Sequence, residues 1–278
     1  MPKATTTVRT LKVPGATLRY ETRGFGPVLL LVPGGGADAA LFDGVADALA
    51  RHFTVVAYDP RGRTRSPLDG PPEDQSPQGQ SQDAALLLAA LTDEPAYVAG
   101  TSAGAVVALD LLQRHPELVR RVVAHEPPLV GLLPDAAQQH RFFASVVETY
   151  RAQGLEAAMA VMAAGTDDGR GAGGAGGEHN PPPADVMARV LANLPSFLER
   201  ELLQFTGHMP DLDALAPYAD RLVPAAGEDS YGLLLRRPAE ALAERLGSAV
   251  TDFPGGHLGC AEQPAAFADR LIGVLSAP

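Results

Sequence analysis

The chain has 278 residues, and 22 lysines and arginines stand against 33 aspartates and glutamates, which gives a formal net charge of −11. Such an acidic surplus argues against a nucleic acid or an anionic membrane as a partner. The single cysteine, Cys260, excludes an internal disulfide and a metal site built from cysteines. Because no apolar run approaches the roughly 20 residues that span a bilayer, and residues 1–12 lack the apolar core of a signal peptide, we expect a cytoplasmic protein.

Strands and helices alternate along the first half of the chain. Residues 8–22 alternate in the manner of a hairpin, and residues 28–32 are apolar at every position, which is typical of a parallel strand buried on both faces. The other elements predicted in this half are strands at 53–58, 96–99 and 121–125 and helices at 39–50, 81–91 and 105–113. This alternation predicts a doubly wound, mostly parallel sheet of the α/β class, whose ligands bind beyond the carboxyl ends of the strands.

From Pro128 to about Pro217 the pattern changes to helices. Helices are predicted at 135–151, 155–164 and 184–205, the last with a break at Pro195, around a glycine-rich flexible loop at 165–183. We interpret this stretch as a helical cap, residues 128–217, inserted into a core made of residues 1–127 and 218–278. After the cap, the alternation resumes with strands at 221–226 and 249–253 and helices at 237–246 and 263–275.

One turn in this pattern carries a chemical motif. Gly100, Ser102 and Gly104 form a Gly-x-Ser-x-Gly sequence between an apolar run and a helix. A strand, a sharp turn and a helix are the context that a nucleophile elbow requires. The glycines allow neighbouring backbone to approach closely, while the serine takes a strained conformation that exposes its hydroxyl. An ordinary glycine-rich turn is the competing interpretation, so the rest of the chain has to supply a base, an acid and an oxyanion hole.

Five motifs in a fixed order give the chain a resemblance to the α/β-hydrolase fold family over essentially its whole length. They are Pro33-Gly34-Gly35, Asp59-Pro60-Arg61-Gly62 with Ser66, the Ser102 elbow, Gly227-Glu228-Asp229 and Gly256-His257. The chain looks most like the serine hydrolases that carry a helical cap. The resemblance implies esterase, lactonase, thioesterase, amidase or carbon–carbon hydrolase chemistry, with no cofactor and no metal.

The resemblance also implies a role for each of four residues. Ser102 is the nucleophile, and His257, in a glycine-rich loop after a late strand, is the base that a serine hydroxyl needs. The backbone N–H groups of Gly35 and Ala103 form the oxyanion hole. Cys260 is a rival nucleophile, but it lacks an elbow.

Two carboxylates compete for the role of the acid. Asp229 follows the strand that re-enters the core after the cap, where most relatives place the acid. Many relatives have two residues between the glycine and the aspartate, whereas here only Glu228 separates Gly227 from Asp229. Glu126 follows the strand after the elbow, which is the position of the acid in haloalkane dehalogenases. Either carboxylate could fix the tautomer of His257 and stabilise its imidazolium, and the family pattern favours Asp229.

Apolar side chains recur at helical spacing in the cap, and most of them pack it. A few should line a pocket above the nucleophile. We expect Phe143, Tyr150 and Met162 of the cap, together with Gly34 of the core, to contact the substrate. Such a pocket favours a largely apolar acyl or alcohol group.

These residues predict a serine hydrolase that cleaves an apolar carboxylic ester, lactone or thioester through an acyl-enzyme on Ser102. Two other functions stay open, because one fold hosts many activities. A cofactor-free lyase or cyclase of a biosynthetic pathway would release a product of unchanged mass, and a ligand-binding pseudoenzyme would bind tightly without turnover. The expected partner is a small apolar molecule, and the sequence leaves open whether the chain forms a homodimer.

Overall fold

The computed structural model describes residues 5–166 and 183–277, and its centre is an eight-stranded sheet. The strands are β1 (Thr7–Val13), β2 (Ala16–Arg23), β3 (Val28–Val32), β4 (Thr54–Tyr58), β5 (Ala96–Thr101), β6 (Val119–His125), β7 (Leu222–Gly227) and β8 (Thr251–Phe253). The helices are α1 (Asp43–Leu49), α2 (Pro77–Leu91), α3 (Ala103–Arg114), α4 (Ala136–Gln153), α5 (Leu155–Thr166), α6 (Ala184–Arg200), α7 (Leu202–Thr206), α8 (Leu212–Leu215), α9 (Arg237–Arg245), α10 (Gly259–Glu262) and α11 (Pro264–Ser276). None of the helices within the described ranges combines the length and the apolar character needed to cross a membrane.

The sheet is mostly parallel and doubly wound, as the alternation of elements predicted. Its strand order is β1-β2-β4-β3-β5-β6-β7-β8, and only the β1–β2 and β2–β4 pairs are antiparallel. From β3 the chain moves to one side to form β4 and then crosses to the other side to form β5, so the winding reverses between β3 and β5. Ligands of such sheets bind at this switch point. Val32 pairs with Gly100 there, which places the turn after β3 beside the turn after β5.

Strand β3 is buried at every residue, in agreement with its apolar sequence. Leu30 and Val32 pack with α2 and α3, whereas Leu29 and Leu31 pack with α1 and α11 on the opposite face of the sheet. Successive side chains of a strand point to opposite faces, so this one strand contributes to both apolar layers. Since each buried leucine stabilises a fold by about 1.5–3 kcal/mol, β3 is a firm support for the turn that follows it.

Helices α4 to α7 lie between β6 and β7 in the chain and are called the helical insertion below. Its apolar core includes Phe143 and Val146 of α4, Leu198 of α6 and Leu202 of α7. The same cluster contains Leu234, which follows β7, so the insertion packs continuously against the rest of the molecule. The exact limits of the cap, residues 128–217, stay a prediction.

Two sequence predictions for the insertion need correction. Helix α6 does not break at Pro195 but continues to Arg200 and ends where Glu201 leaves helical geometry, with a φ of −127°. A proline removes the N–H that would bond the carbonyl four residues earlier. That carbonyl belongs to Leu191, which is 50% exposed, so water can satisfy it. The predicted loop at 165–183 starts too early, because its first two residues belong to α5, and residues 167–182 lie outside the described residues.

Candidate active site

Ser102 lies in the tight turn between β5 and α3, with a φ of +52° and a ψ of −123°. A side chain at positive φ is strained, and such strain persists only where the surroundings enforce it. A Cβ on Gly104 would lie 2.1 Å from the carbonyl oxygen of Val32, and a Cβ on Gly100 would lie 2.2 Å from that of Gly104. The N–H of Ser102 donates to the carbonyl of His125 at 2.9 Å. Both glycines of the motif are therefore required by packing, and the strand, turn and helix fall where the motif predicted them.

A second tight turn, after β3, lies directly beside the nucleophile. The N–H of Ala37 donates to the carbonyl of Gly34 at 3.2 Å. Gly36 has a φ of +74°, as the third residue of a type II turn requires. A Cβ on Gly34 would lie 3.8 Å from Ser102 Oγ, which shows how close the turn is to the hydroxyl. Residues 34–37 are called the oxyanion turn below, after the role that the sequence predicted for Gly35.

Two backbone N–H groups next to the hydroxyl are available to an anion. Ala103 is the first residue of α3, so its N–H has no partner within the helix and lies at the positive end of the helix dipole. The other is the N–H of Gly35 in the oxyanion turn. In the described part of the chain, neither N–H donates to a protein acceptor. These unpaired groups are the two donors that the sequence predicted for an oxyanion hole, and that role stays a prediction.

His257 and Glu126 form a hydrogen-bonded pair. Nδ1 of His257 lies 2.6 Å from Oε2 of Glu126, and Oε1 of the same carboxylate accepts the N–H of Gly227 at 2.9 Å. The carboxylate is fully buried, whereas the imidazole is partly exposed. The loop that carries the imidazole is held by the N–H of Gly256, which donates to Glu262 at 2.6 Å. The arrangement gives the ring one fixed partner and leaves its other nitrogen, Nε2, free to take part in chemistry.

Glu126 is the second non-glycine residue with a left-handed backbone among the described residues, at a φ of +48°. It directly follows His125, whose carbonyl holds the N–H of Ser102, so the two strained residues lie at adjoining strand ends. Burial alone raises the pKa of Glu126. The hydrogen bond and charge of His257, the charge of His125 and the hydroxyl of Ser230 together outweigh burial and hold the pKa at about 2. The carboxylate is therefore ionised at neutral pH and favours the tautomer of His257 with its proton on Nδ1.

The sequence-based preference for Asp229 as the acid differs from the hydrogen bonding that the structure describes. Asp229 lies in a short helical turn directly after Gly227, where its N–H donates to the carbonyl of Gly255 at 3.0 Å and its side chain is exposed. The next residue, Ser230, is buried and takes the inward position facing Glu126. The chain turns tightly immediately after β7, so the carboxylate of Asp229 points outward. Within the described residues, the carboxylate that hydrogen-bonds the imidazole of His257 is that of Glu126, the alternative candidate.

His125 is buried behind the carboxylate and is only 1% exposed. Its ring packs edge-on against Phe253 and Phe267, at centroid distances of 5.9 and 5.5 Å. Burial lowers the pKa of His125 to about 4, and the opposing charge of Glu126 does not offset it. The imidazole is therefore neutral across the physiological pH range.

We expect His125 to make the stability of the protein pH-dependent. Its pKa is about 6.5 in the unfolded chain and about 4 in the fold, so between these values the unfolded chain binds the proton more strongly. The free energy of unfolding is therefore highest above pH 6.5, where His125 is neutral in both states. It falls by roughly 3 kcal/mol in all as the pH drops to 4. Urea denaturation at pH 7, 5.5 and 4.5 measures this loss. The His125→Leu variant should lose less stability on acidification than the wild type, and parallel curves would contradict this role.

The predicted substrate contacts of the insertion lie within its apolar packing. Phe143 is 1% exposed, and Tyr150 and Met162 are partly buried against the same cluster. The described contacts place none of the three against Ser102, so their role in binding stays a prediction. Gly34, in contrast, does lie beside the nucleophile.

Two other residues of α6 lie against the oxyanion turn. The ring of Phe197 lies so close to Gly35 that a Cβ on Gly35 would be 2.0 Å from Cε2 of Phe197. Similarly, a Cβ on Gly36 would be 3.0 Å from Cδ2 of Leu194. The wall above this turn is therefore apolar. Apolar residues recur at helical spacing throughout the insertion, and nothing in the sequence distinguishes Phe197 and Leu194 from the others.

The rival nucleophile, Cys260, is unsuited to the role. It is 1% exposed, and burial raises the pKa of its thiol to about 12, so the reactive thiolate does not form at neutral pH. Residues 5–166 and 183–277 contain no group of three or more histidine, cysteine or acidic side chains that could hold a metal ion.

Comparisons with known proteins agree with this architecture. The family model described as alpha/beta hydrolase fold matches residues 27–162. The protein named "Uncharacterized hydrolase YraK" from Bacillus subtilis (strain 168) is 38% identical over 272 residues, which are 96% of this chain and 95% of that protein. A zearalenone hydrolase from Bionectria ochroleuca is 35% identical over 118 residues, which are 41% of this chain and 44% of that protein. The crystal structure of a hydrolase from Pseudomonas aeruginosa PA01 has a TM-score of 0.69 at 22% identity, covering 97% of this chain and 98% of that one.

Proposed function

Because this chain belongs to the α/β hydrolase fold family, we propose that it is a serine hydrolase that cleaves an apolar carboxylic ester, lactone or thioester through an acyl-enzyme on Ser102. The observation that carries the proposal is the 2.6 Å hydrogen bond between His257 and the buried, ionised Glu126, at the strand end next to the elbow. Residues held in left-handed geometry cost about 1–3 kcal/mol each. Two of them at one site fit a catalytic centre better than a binding pocket.

In the first half of the reaction, Ser102 is acylated. Nε2 of His257 accepts the hydroxyl proton as Oγ attacks the substrate carbonyl, and Glu126 stabilises the resulting imidazolium through Nδ1. The charge that develops on the carbonyl oxygen is bound by the N–H groups of Gly35 and Ala103. One such donor typically contributes about 10²- to 10³-fold in rate. His257 then returns the proton to the leaving alcohol or thiol, and the acyl group stays on Ser102.

In the second half, water releases the acyl group. His257 accepts a proton from water, the hydroxide attacks the acyl carbonyl, and the same two N–H groups bind the second oxyanion. The C–O bond to Ser102 breaks, and Oγ regains its proton from the imidazolium. The enzyme returns to its starting state with one carboxylic acid released.

The side chains near the oxyanion turn support the proposal of an apolar substrate. Phe197 and Leu194 face the turn from α6, and the insertion behind them is packed with apolar residues. An acyl group bound to Ser102 would therefore contact hydrocarbon on the side of α6. Each buried CH₂ adds about 0.8 kcal/mol of binding, or roughly fourfold.

Hydrolysis of p-nitrophenyl esters in ¹⁸O-water tests the proposal. We expect each released acid to carry one ¹⁸O atom, and kcat/KM to rise with acyl length from acetate to octanoate because longer chains bury more CH₂ groups. Ester controls without enzyme correct for spontaneous hydrolysis. A product of unchanged mass would favour the lyase or cyclase alternative, and tight ester binding without turnover would favour a pseudoenzyme. The cytoplasmic location stays a prediction from the sequence, and whether the chain forms a homodimer stays open.

A further inference from the structure

We propose that Asn193 of α6 positions the N–H of Gly35, so that the helical insertion takes part in forming the oxyanion hole; the inference rests on the proposed function. Asn193 is 2% exposed. Its Nδ2 donates to the carbonyl of Gly36 at 3.1 Å, and its Oδ1 accepts the N–H of Thr64 at 3.0 Å. A carbonyl can only accept and a backbone N–H can only donate, so the two partners fix the orientation of the amide. One side chain thereby joins the loops that follow β3 and β4.

Two peptide units connect Asn193 to Gly35. In a trans peptide the C=O and the N–H point in opposite directions, and no cis peptide occurs in the described residues. The carbonyl of Gly36, held by Asn193, therefore directs the N–H of Ala37 the other way, where it donates to the carbonyl of Gly34 at 3.2 Å. That carbonyl in turn directs the N–H of Gly35 to the opposite side. The hydrogen bond to Gly36 thus fixes the direction of the Gly35 N–H through a relay of two planar units.

The oxyanion turn needs such external support because three successive glycines form it. Glycine populates positive and negative φ about equally and loses more conformational freedom on ordering than any other residue. Within the turn itself, the one described hydrogen bond is that between Ala37 and Gly34. An oxyanion donor must lie about 2.7–3.1 Å from the developing charge, so a turn that samples other conformations would lose much of its effect.

Other residues on the same face of α6 seat the helix on this region. Arg189 pairs with Asp38 at 2.6 Å, and Phe197 packs against Gly35. At the end of the helix, Glu201 pairs with Arg63 at 2.7 Å, with both side chains at most 2% exposed. Arg189, Asn193 and Phe197 lie four positions apart in α6, which is the spacing of one helix face, and Glu201 follows directly after the helix. Asn193 is the member of this face that reaches the relay.

Kinetics of Asn193→Ala with p-nitrophenyl butyrate and its thiono analogue test the relay. Sulfur is a weak hydrogen-bond acceptor, so a thiocarbonyl gains little from an oxyanion hole. We expect kcat for the oxygen ester to fall about 10- to 100-fold with KM changed less than about threefold. The rate with the thiono ester should change much less. The ratio of the oxygen-ester rate to the thiono-ester rate should therefore fall at least about tenfold.

Arg189→Gln is the matched control, because it removes a contact of the same helix face with Asp38 but leaves the relay intact. We expect its rate ratio to equal that of the wild type. If Asn193→Ala does not fold, Asn193→Asp keeps the acceptor for Thr64 but replaces the donor to Gly36 with a second acceptor oxygen, and it should lower the ratio at least as much. An unchanged ratio in a folded Asn193 variant, or an equal fall in Arg189→Gln, would overturn the proposal. If Ser102→Ala retained the wild-type rate, the proposed function itself would fail instead.

Discussion

Ser102→Ala is expected to lower kcat for p-nitrophenyl butyrate by roughly 10⁴- to 10⁶-fold, the loss found when the nucleophile of a serine hydrolase is removed. The variant has no hydroxyl to acylate, while the oxyanion donors and the apolar wall remain. Its backbone at φ +52° stays as strained as that of the wild type, since alanine also carries a Cβ. We therefore expect a melting temperature close to that of the wild type, so that lost activity cannot be ascribed to unfolding.

Cys260→Ala is the matched control for this loss. Its thiol is buried, and the raised pKa keeps it protonated, so removal of the sulfur should leave kcat within about twofold of the wild type. Steady-state hydrolysis of the same ester measures both variants. The assignment of the nucleophile fails if Ser102→Ala keeps full activity, or if Cys260→Ala loses it while remaining folded.

Glu126→Gln is expected to lower kcat by about 10³- to 10⁴-fold, with little change in KM. Glutamine preserves the shape of the side chain, but its amide can offer an N–H to Nδ1 of His257. That contact stabilises the tautomer with its proton on Nε2, which cannot accept the proton of Ser102, and it removes the charge that stabilises the imidazolium. The fall should appear for every ester, because the change affects the base and not the substrate pocket.

Asp229→Asn is the comparison that separates the two carboxylates. Asp229 is exposed, and its described backbone bond, from N–H to the carbonyl of Gly255, does not involve the side chain. We expect a kcat within about twofold of the wild type, since an exposed side chain without structural contacts rarely matters. A large loss in Asp229→Asn together with a small loss in Glu126→Gln would reverse the assignment and restore the sequence-based preference for Asp229.

The fold follows from local features of the sequence to a large extent. The apolar run at 28–32 implies burial on both faces, and Gly-x-Ser-x-Gly between a strand and a helix implies close packing at both glycines. Both features were confirmed, because each depends on contacts with immediate neighbours in the sheet. The predicted break at Pro195 was wrong, because the carbonyl that loses its partner there belongs to the exposed Leu191 and the helix continues to Arg200.

Which carboxylate hydrogen-bonds His257 could not be predicted from the sequence. It depends on how tightly the chain turns after Gly227, which sends Asp229 outward and Ser230 inward, and on a left-handed conformation at Glu126. Neither property leaves a pattern in the residues themselves. The departure of Gly227-Glu228-Asp229 from the spacing of many relatives was the one visible signal that the usual position was in doubt.

The contacts of Asn193 were even harder to predict from the sequence. Its partners Gly36 and Thr64 are 157 and 129 residues away in the chain, so no local periodicity relates them. Helical spacing can mark an inward face, but it cannot identify which loop that face meets. Polar residues on such a face merit attention, because a buried amide is retained only where it finds partners.

The central claim, that His257 and Glu126 activate Ser102, is tested most directly by intact mass after incubation with a small fluorophosphonate. This reagent phosphonylates an activated serine with loss of fluoride and leaves an ordinary hydroxyl unmodified. We expect one adduct on the wild type, none on Ser102→Ala, and much slower labelling of Glu126→Gln than of Asp229→Asn. A folded wild type that gains no adduct, or an adduct that persists on Ser102→Ala, would contradict the claim.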